Sequence, residues 1–240
     1  MIIGVYGYQD SGKTTLVEKV VKELSSRGYR VASVKHSARM KGADCQGKDT
    51  WRHWQAGSDP VVFSSETETT MFKHTSTDAR VIVDMLMREY NPDVIVVEGH
   101  KAGSFPSISV GDVTPRENTV LRNPTPKAAV EYIEHEVAVE RKLAELPGLD
   151  CHKCGLDCAR LARAIAEGKR KLQDCQELPT VGVKISVGGK RIVAGDFVCR
   201  IVNDTVRGML GSLRGYEPGK DVEIRLEAKR APTKKGVRKK

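Results

Sequence analysis

Long apolar runs are missing from this 240-residue chain. No stretch approaches the roughly 18 consecutive apolar residues that a membrane-spanning helix needs. The opening residues, MIIGVYG, are typical of a short buried strand and lack the basic and then apolar pattern of a signal peptide. These absences argue against a membrane or a secreted protein. We therefore expect a cytoplasmic protein whose 39% of hydrophobic residues form a packed core.

Acidic residues are missing from the last twelve positions, KRAPTKKGVRKK, which carry seven basic groups. The net charge of the whole chain is +9, so the rest of the chain is close to neutral. Residues 229–240 are therefore predicted to be a disordered tail. The folded part shows no excess of basic residues, and this argues against nucleic acid as a partner.

A phosphate-binding loop is predicted at residues 7–14, GYQDSGKT, which fit the pattern G-x-x-x-x-G-K-T. The octet lies between an apolar strand and a helical repeat, which is the context that this motif requires. Gly7 and Gly12 allow the turn and the close approach of the backbone. Backbone N–H groups, including those of Ser11 and Thr15, are then able to converge on phosphate oxygens at the start of the helix.

Three side chains of this loop have predicted roles in nucleotide binding. Lys13 is expected to reach the β and γ phosphates and to act as a catalytic residue, and the Thr14 hydroxyl is expected to bind Mg²⁺. Asp10 has two interpretations of equal weight. It either orients Mg²⁺ or a water molecule, or it caps the loop.

An acidic residue ends the apolar strand of DVIVVEG, residues 93–99. In an open parallel sheet, ligands bind at the carboxyl ends of the strands. We therefore predict that Glu98 lies beside the phosphates as a second Mg²⁺ ligand and a catalytic residue, with Gly99 in the same site. The alternative is an acid that only ends a strand in solvent.

A short helix is predicted in DTWRHWQAG, residues 49–57, with Asp49 as its N-terminal cap. The helix carries Arg52 and His53 together with the chain's only two tryptophans. From the residues alone, two interpretations stand. Either this is an amphipathic helix with charged groups in solvent, or its basic groups face an anionic ligand.

The order of strands and helices predicts an α/β protein, a P-loop NTPase three-layer fold with a mostly parallel sheet, over residues 1–146. A small α+β domain is predicted at 147–228. It contains a cysteine cluster, a hairpin that turns at Gly188-Gly189 and a helix.

Four cysteines lie close together in the predicted second domain: Cys151, Cys154, Cys158 and Cys175. Such a cluster favours a metal centre over disulfides in a cytosolic protein. A compact trio with one distant cysteine favours a [4Fe–4S] cluster, while zinc and unligated thiols stay open as alternatives. Cys45 and Cys199 are expected to be buried thiols. Five basic residues are expected to offset the cluster's negative charge: Arg160, Arg163, Lys169, Arg170 and Lys171.

The segments SGKTTL, VKHSARM, GKDTWRHWQAGSDPVVF and DVIVVEGHKAGSFPSISV, in this order, resemble the MobB family of accessory proteins in molybdopterin guanine dinucleotide biosynthesis. The resemblance covers about residues 1–135. It implies a P-loop fold, binding of GTP with Mg²⁺, weak GTPase activity and a homodimer. It also implies molybdopterin as the cofactor served and, as partner, the guanylyltransferase that joins GMP to it.

The resemblance also implies roles for particular residues. Phosphates would bind at Gly7–Thr15 and the metal at Glu98. The remainder of the site would be lined by Lys35, His36, Asp49, Arg52 and His53. The chain has no Asn-Lys-x-Asp motif for reading the base, so the preference for guanine rests on the resemblance alone.

The cysteine stretch resembles a small four-cysteine iron–sulfur domain. Two other functions stay open. The phosphate loop is also compatible with a P-loop small-molecule kinase, and the cysteines are compatible with a redox protein in which the nucleotide gates an iron–sulfur centre.

Overall fold

The computed structural model describes residues 1–36, 44–74, 77–99, 105–187 and 190–224. The predicted basic tail, 229–240, and the turn at 188–189 lie outside these residues. Within the described ranges, the helices are all too short or too polar to cross a membrane.

A five-stranded parallel sheet forms the centre of the fold, in the order β2-β5-β1-β6-β7. The predicted α/β class with a mostly parallel sheet is confirmed. All five residues of β5 are buried, which explains why this strand reads as a continuous apolar run. The strands are β1 (Ile2–Tyr6), β2 (Val31–Lys35), β5 (Val94–Glu98), β6 (Ser107–Ser109) and β7 (Thr119–Arg122).

Helices cover both faces of this sheet and give three layers. On one face, α1 (Lys13–Ser26) and α4 (Pro126–Glu145) pack against each other and bury Leu24 and Ile133 with the sheet. On the other face, α3 (Ala79–Tyr90) packs through Val83. Helix α4 begins after Thr125, whose side chain accepts a hydrogen bond from the Ala128 N–H, with Pro126 at the first helical position, where its missing N–H costs nothing.

The segment between β2 and α3 contains α2 (Asp49–Gln55) and an antiparallel hairpin of β3 (Val61–Ser64) and β4 (Thr69–Phe72), which lies outside the central sheet. The predicted cap of α2 is wrong by one residue. Lys48 is the cap because its backbone is extended, whereas Asp49 already belongs to the helix.

The chain divides into compact units at Met1–Gln176 and Glu177–Lys240. The boundary expected near residue 146 falls inside the first unit, because α5 (Cys158–Ala166) packs on α4. In the second unit, β8 (Ile185–Val187) and β9 (Lys190–Ile192) form the predicted hairpin, followed by α6 (Asp196–Gly211).

Candidate functional site

The loop between β1 and α1 has the geometry of an anion site. It runs from Gly7 to Gly12, where φ is +86°, and α1 begins at Lys13. Gly12 provides no side-chain cap, so the first N–H groups of α1 point into the loop without a side-chain acceptor at the cap position. These amides and the positive end of the helix dipole favour a bound anion.

Gly7 is required by the packing of this loop. A Cβ atom at Gly7 would overlap the backbone carbonyl oxygen of Val110 and would lie 2.7 Å from the Ser11 Oγ. The phosphate loop therefore lies directly against the chain that follows β6, and only glycine fits at this position.

The Lys13 side chain folds back over the loop. Its Nζ donates to the Tyr8 carbonyl oxygen and lies 3.3 Å from the Ser11 Oγ. A phosphate oxygen is a stronger acceptor for an ammonium group than a neutral carbonyl oxygen. Lys13 is therefore placed to exchange its backbone partner for a bound phosphate.

Thr14 and Glu98 meet at the carboxyl edge of the sheet. The Thr14 Oγ1 donates to the Glu98 Oε1 at 2.8 Å, and Glu98 is buried, with 5% of its surface exposed. The Lys35 Nζ also contacts the Glu98 Oε1 and lies 3.5 Å from the Thr14 Oγ1. A hydroxyl and a carboxylate are the oxygen donors that Mg²⁺ prefers, so the donor chemistry fits this ion.

Register explains why Glu98 and Lys35 meet. They are directly opposite each other in the parallel pair β2–β5. The next residues continue the contact, because the His36 N–H donates to the Glu98 carbonyl oxygen at 2.8 Å. Gly99 has φ +82°, and a Cβ there would overlap the His36 carbonyl oxygen. The structure thus brings Lys35, His36, Glu98 and Gly99 together with Thr14.

Asp10 occupies a left-handed position of the loop, with φ +58°, and its side chain is exposed. Aspartate adopts this conformation more readily than most residues. The structure therefore gives Asp10 a role as a turn residue, and its role toward Mg²⁺ or water stays a prediction.

Helix α2 exposes the three residues predicted to line the rest of the site. The Arg52 Nη1 lies 3.8 Å from the Asp49 Oδ1, and both side chains are largely in solvent, as is His53. The chain between β2 and α2 includes residues 37–43, outside the described ranges. The part of VKHSARM that follows His36 lies there, and the expectation that Asp49, Arg52 and His53 line the remainder of the nucleotide site stays a prediction.

A buried polar pair that sequence reasoning missed holds α2. The Asp44 Oδ1 accepts from the Thr50 Oγ1 at 2.8 Å, and the Asp44 Oδ2 lies 3.3 Å from the His74 Nε2. The His74 ring stacks on the Trp54 ring at 4.1 Å. These contacts join α2 to the end of the β3–β4 hairpin. No short-range pattern could reveal them, because Asp44 and His74 are far apart in the chain.

The four clustered cysteines are all free thiols. Cys158 is the first residue of α5 and Cys175 follows a short 3₁₀ turn, Leu172–Asp174; both are buried. Cys151 is exposed, and the Cys154 Sγ lies 3.4 Å from the Leu156 carbonyl oxygen. Free thiols are the ligands that iron–sulfur clusters use, so the donor chemistry fits. Their side chains are not gathered, however: over the described ranges, no three His, Cys, Asp or Glu residues converge as a metal site.

The other two cysteines differ from each other. Cys199 is buried, as predicted. The prediction for Cys45 is wrong, because it lies exposed in the turn before α2.

Four of the five basic residues around the cysteines form ion pairs with carboxylates: Arg160, Arg163, Lys169 and Arg170. The Arg163 guanidinium donates to both Glu136 carboxylate oxygens, at 2.7 and 3.0 Å, and Lys169 pairs with Glu167 at 2.6 Å. Burial opposes ionisation of Glu136, but the Arg163 hydrogen bonds and charge outweigh it and lower the pKa of that carboxyl. Their expected role in offsetting the negative charge of a cluster stays a prediction. Arg163 fastens α5 to α4.

Comparison with known proteins gives two family matches. Residues 2–130 match the model of MobB, described as "Molybdopterin guanine dinucleotide synthesis protein B". Residues 146–176 match a model described as "Putative Fe-S cluster".

Two curated relatives show how far the similarity extends. A "Putative molybdopterin-guanine dinucleotide biosynthesis adapter protein" of Methanocaldococcus jannaschii is 29% identical over 238 residues, which is 94% of this chain and 97% of the relative. The "Molybdopterin-guanine dinucleotide biosynthesis adapter protein" of Haemophilus influenzae is 37% identical over 110 residues, 45% of this chain and 61% of the relative.

Solved structures also match in part. The crystal structure of Bacillus subtilis MobB has a TM-score of 0.43 at 19% identity and covers 55% of this chain and 95% of its own. A structure of molybdopterin-guanine biosynthesis protein B has a TM-score of 0.40 at 24% identity, over 57% of this chain and 99% of its own.

Proposed function

This chain belongs to the MobB family of molybdopterin-guanine dinucleotide biosynthesis adapter proteins, and on that premise we propose that it binds GTP with Mg²⁺ and assists the guanylyltransferase that joins GMP to molybdopterin. We further propose that it acts as a homodimer. The observation that carries the nucleotide site is the meeting of Thr14 with Glu98 beside the phosphate loop.

The residues around the phosphate loop have separate proposed roles in binding the phosphates and Mg²⁺. Lys13 would exchange the Tyr8 carbonyl oxygen for phosphate oxygens. Thr14 and Glu98 would hold Mg²⁺, which supplies positive charge to the phosphates when bound. In phosphoryl transfer, positioning and charge neutralisation supply most of the catalysis, so Lys13 and Glu98 support slow hydrolysis without a strong base.

Nucleotide binding tests this proposal directly. We expect Lys13→Ala to weaken GTP binding about 100-fold, since about 2.7 kcal/mol is a reasonable value for lost charge-assisted hydrogen bonds to phosphate. Lys22→Ala is the matched control, because Lys22 is exposed on the same helix, and its affinity for GTP should stay at the wild-type value. Isothermal titration calorimetry with Mg²⁺-GTP measures both. Equal affinities of wild type and Lys13→Ala for Mg²⁺-GTP would contradict the proposed nucleotide site at the phosphate loop.

For the four cysteines, we propose ligation of an iron–sulfur cluster of the [4Fe–4S] type. Protein purified without oxygen should contain about four irons per chain and absorb in the visible range. Cys158→Ser should lose most of the iron, while Cys199→Ser, a change at another buried thiol, should keep it. Stoichiometric zinc in place of iron would contradict the cluster and support a structural zinc site.

One observation favours a second function, in which the nucleotide gates the cluster. Helix α4 contacts both α1, which starts at the phosphate loop, and α5, which starts at Cys158. On this proposal, GTP shifts the reduction potential of the cluster. Redox titration with and without Mg²⁺-GTP tests it, and identical potentials would refute it.

A further inference from the structure

We propose that Asp112 reads the guanine base, as an acceptor for the N1–H and the 2-amino group. This inference rests on the proposed GTP site and adds the residue that selects the base. It answers a question that the sequence leaves open, since the chain has no Asn-Lys-x-Asp motif.

Sheet order fixes the side of the phosphate loop on which the base lies. Glu98 and Lys35 end strands β5 and β2, which lie on one side of β1. With Thr14, they would place a bound Mg²⁺ and the terminal phosphates on that side. The nucleoside would then extend toward the opposite side of β1, where β6 and β7 end at the same edge of the sheet.

The chain after β6 forms a fixed wall there. Gly111 has φ +82°, and an added Cβ would stand 2.8 Å from the Ser11 Cβ of the phosphate loop. The side chain of Asn123, which follows β7, hydrogen-bonds to the backbone of this glycine. Its Oδ1 accepts from the Gly111 N–H at 2.6 Å, and its Nδ2 donates to the Gly111 carbonyl oxygen at 3.4 Å.

The other end of the same loop is also anchored. The Arg116 N–H lies within hydrogen-bond distance of the Tyr6 hydroxyl and the Thr119 Oγ1, at 3.0 and 2.9 Å. The Arg116 guanidinium covers the Tyr6 ring at 4.1 Å. A loop held at both ends keeps the residue after Gly111 in a defined place beside the phosphate loop.

That residue is Asp112, whose side chain is exposed. An ionised carboxylate only accepts hydrogen bonds, and it has two oxygens for the two adjacent donors of guanine. Adenine presents an acceptor, N1, at the corresponding position, so the carboxylate would oppose it. Sites built to hydrogen-bond a particular group reject analogues that lack it, and this gives base selection without the usual motif.

The Asp112→Asn variant tests the assignment through xanthosine triphosphate. Xanthine keeps the N1–H of guanine but carries a carbonyl oxygen in place of the 2-amino group, and an asparagine amide complements this pair. We expect Asp112→Asn to bind GTP at least tenfold more weakly and xanthosine triphosphate at least tenfold more tightly than wild type. Glu117→Gln, another exposed acid of the same loop, should leave both affinities unchanged. Calorimetry with GTP, ATP and xanthosine triphosphate measures them.

The results separate the two proposals. If wild type binds neither GTP nor ATP, the nucleotide site fails and Asp112 fails with it. Two results would overturn only the assignment of Asp112 while wild type still binds GTP. In the first, Asp112→Asn keeps the wild-type affinity for GTP. In the second, Asp112→Asn loses affinity for GTP and for xanthosine triphosphate equally. Asn123→Ala should weaken GTP without any gain of xanthosine triphosphate, because it acts on the position of the loop.

Discussion

A methyl group added at Gly111 tests how closely the loop after β6 packs on the phosphate loop. The left-handed φ of +82° costs an L-residue about 1–2 kcal/mol. The added Cβ would also stand 2.8 Å from the Ser11 Cβ, and overpacking of this kind costs typically about 1–3 kcal/mol. We therefore expect Gly111→Ala to lower the free energy of unfolding by about 2–5 kcal/mol.

Gly28 provides a control that separates the two effects. Its φ is +86°, after the end of α1, and nothing lies within 4 Å of an added Cβ. Gly28→Ala should therefore lose only the backbone contribution, about 1–2 kcal/mol. Urea denaturation followed by circular dichroism measures both variants, and calorimetry measures their affinity for Mg²⁺-GTP.

The difference between the two variants carries the test. Gly111→Ala should bind GTP about tenfold more weakly, because its loop must move from Ser11, while Gly28→Ala should bind as wild type does. Equal destabilisation by the two substitutions would mean that the loop after β6 moves away from Ser11 without any loss of folding free energy. An unchanged GTP affinity in Gly111→Ala would refute the idea that this loop is a fixed wall of the nucleotide site.

Other changes test the metal position, the acid sensitivity and the attachment of α5. The increase in GTP affinity that Mg²⁺ produces, measured by titration with MgCl₂, should be about tenfold smaller in Glu98→Gln than in wild type. Glu89→Gln, a change at an exposed acid on α3, should leave this increase unchanged. The pKa of Asp93 lies below the ordinary value for aspartate, chiefly because the Arg30 N–H donates to its carboxylate. The contribution of Asp93 to stability is therefore fully present above the pKa of the unfolded chain and is lost as the pH falls through the folded pKa, so Asp93→Asn should flatten the pH dependence of urea unfolding in that range. Arg163→Met should lower the free energy of unfolding by about 1 kcal/mol, a value discounted because the arginine is half exposed; unchanged stability would show that its pairing with α4 contributes nothing.

Local patterns were sufficient to predict most of the fold. The apolar run of β5 predicts a strand buried on both faces, and the Thr125-Pro126 pair predicts the start of α4. Both signals depend only on neighbouring residues, through burial and capping. The cap of α2 lies one residue before the predicted Asp49, because Lys48 and Asp49 differ in backbone angles that the sequence does not specify.

Contacts between distant segments could be predicted only where strand topology dictates them. The carboxyl-edge rule predicts that Glu98 lies near the phosphate loop, since β1 and β5 pair directly. The Asp44–His74 contact and the hydrogen bond from the Gly111 N–H to the Asn123 Oδ1 depend instead on how the loops fold back on each other. The Asn-Pro sequence at Asn123 is typical of an ordinary turn, so the sequence gives no sign that this side chain positions the loop beside the phosphate loop.

The position of the cysteine segment shows the same limit and has a consequence for the site. Pro147 and Gly148 end α4, and this break predicts a separate domain, yet the chain turns back and buries Leu161 and Ala162 of α5. Because α5 packs on α4 and α4 packs on α1, the cysteine segment and the phosphate loop belong to one compact unit. A change in how Cys158 is held would therefore act on α4 as well. If a cluster forms at these cysteines, its loss should lower the stability of the nucleotide-binding unit itself, whereas an independently folded cysteine domain would leave that stability unchanged.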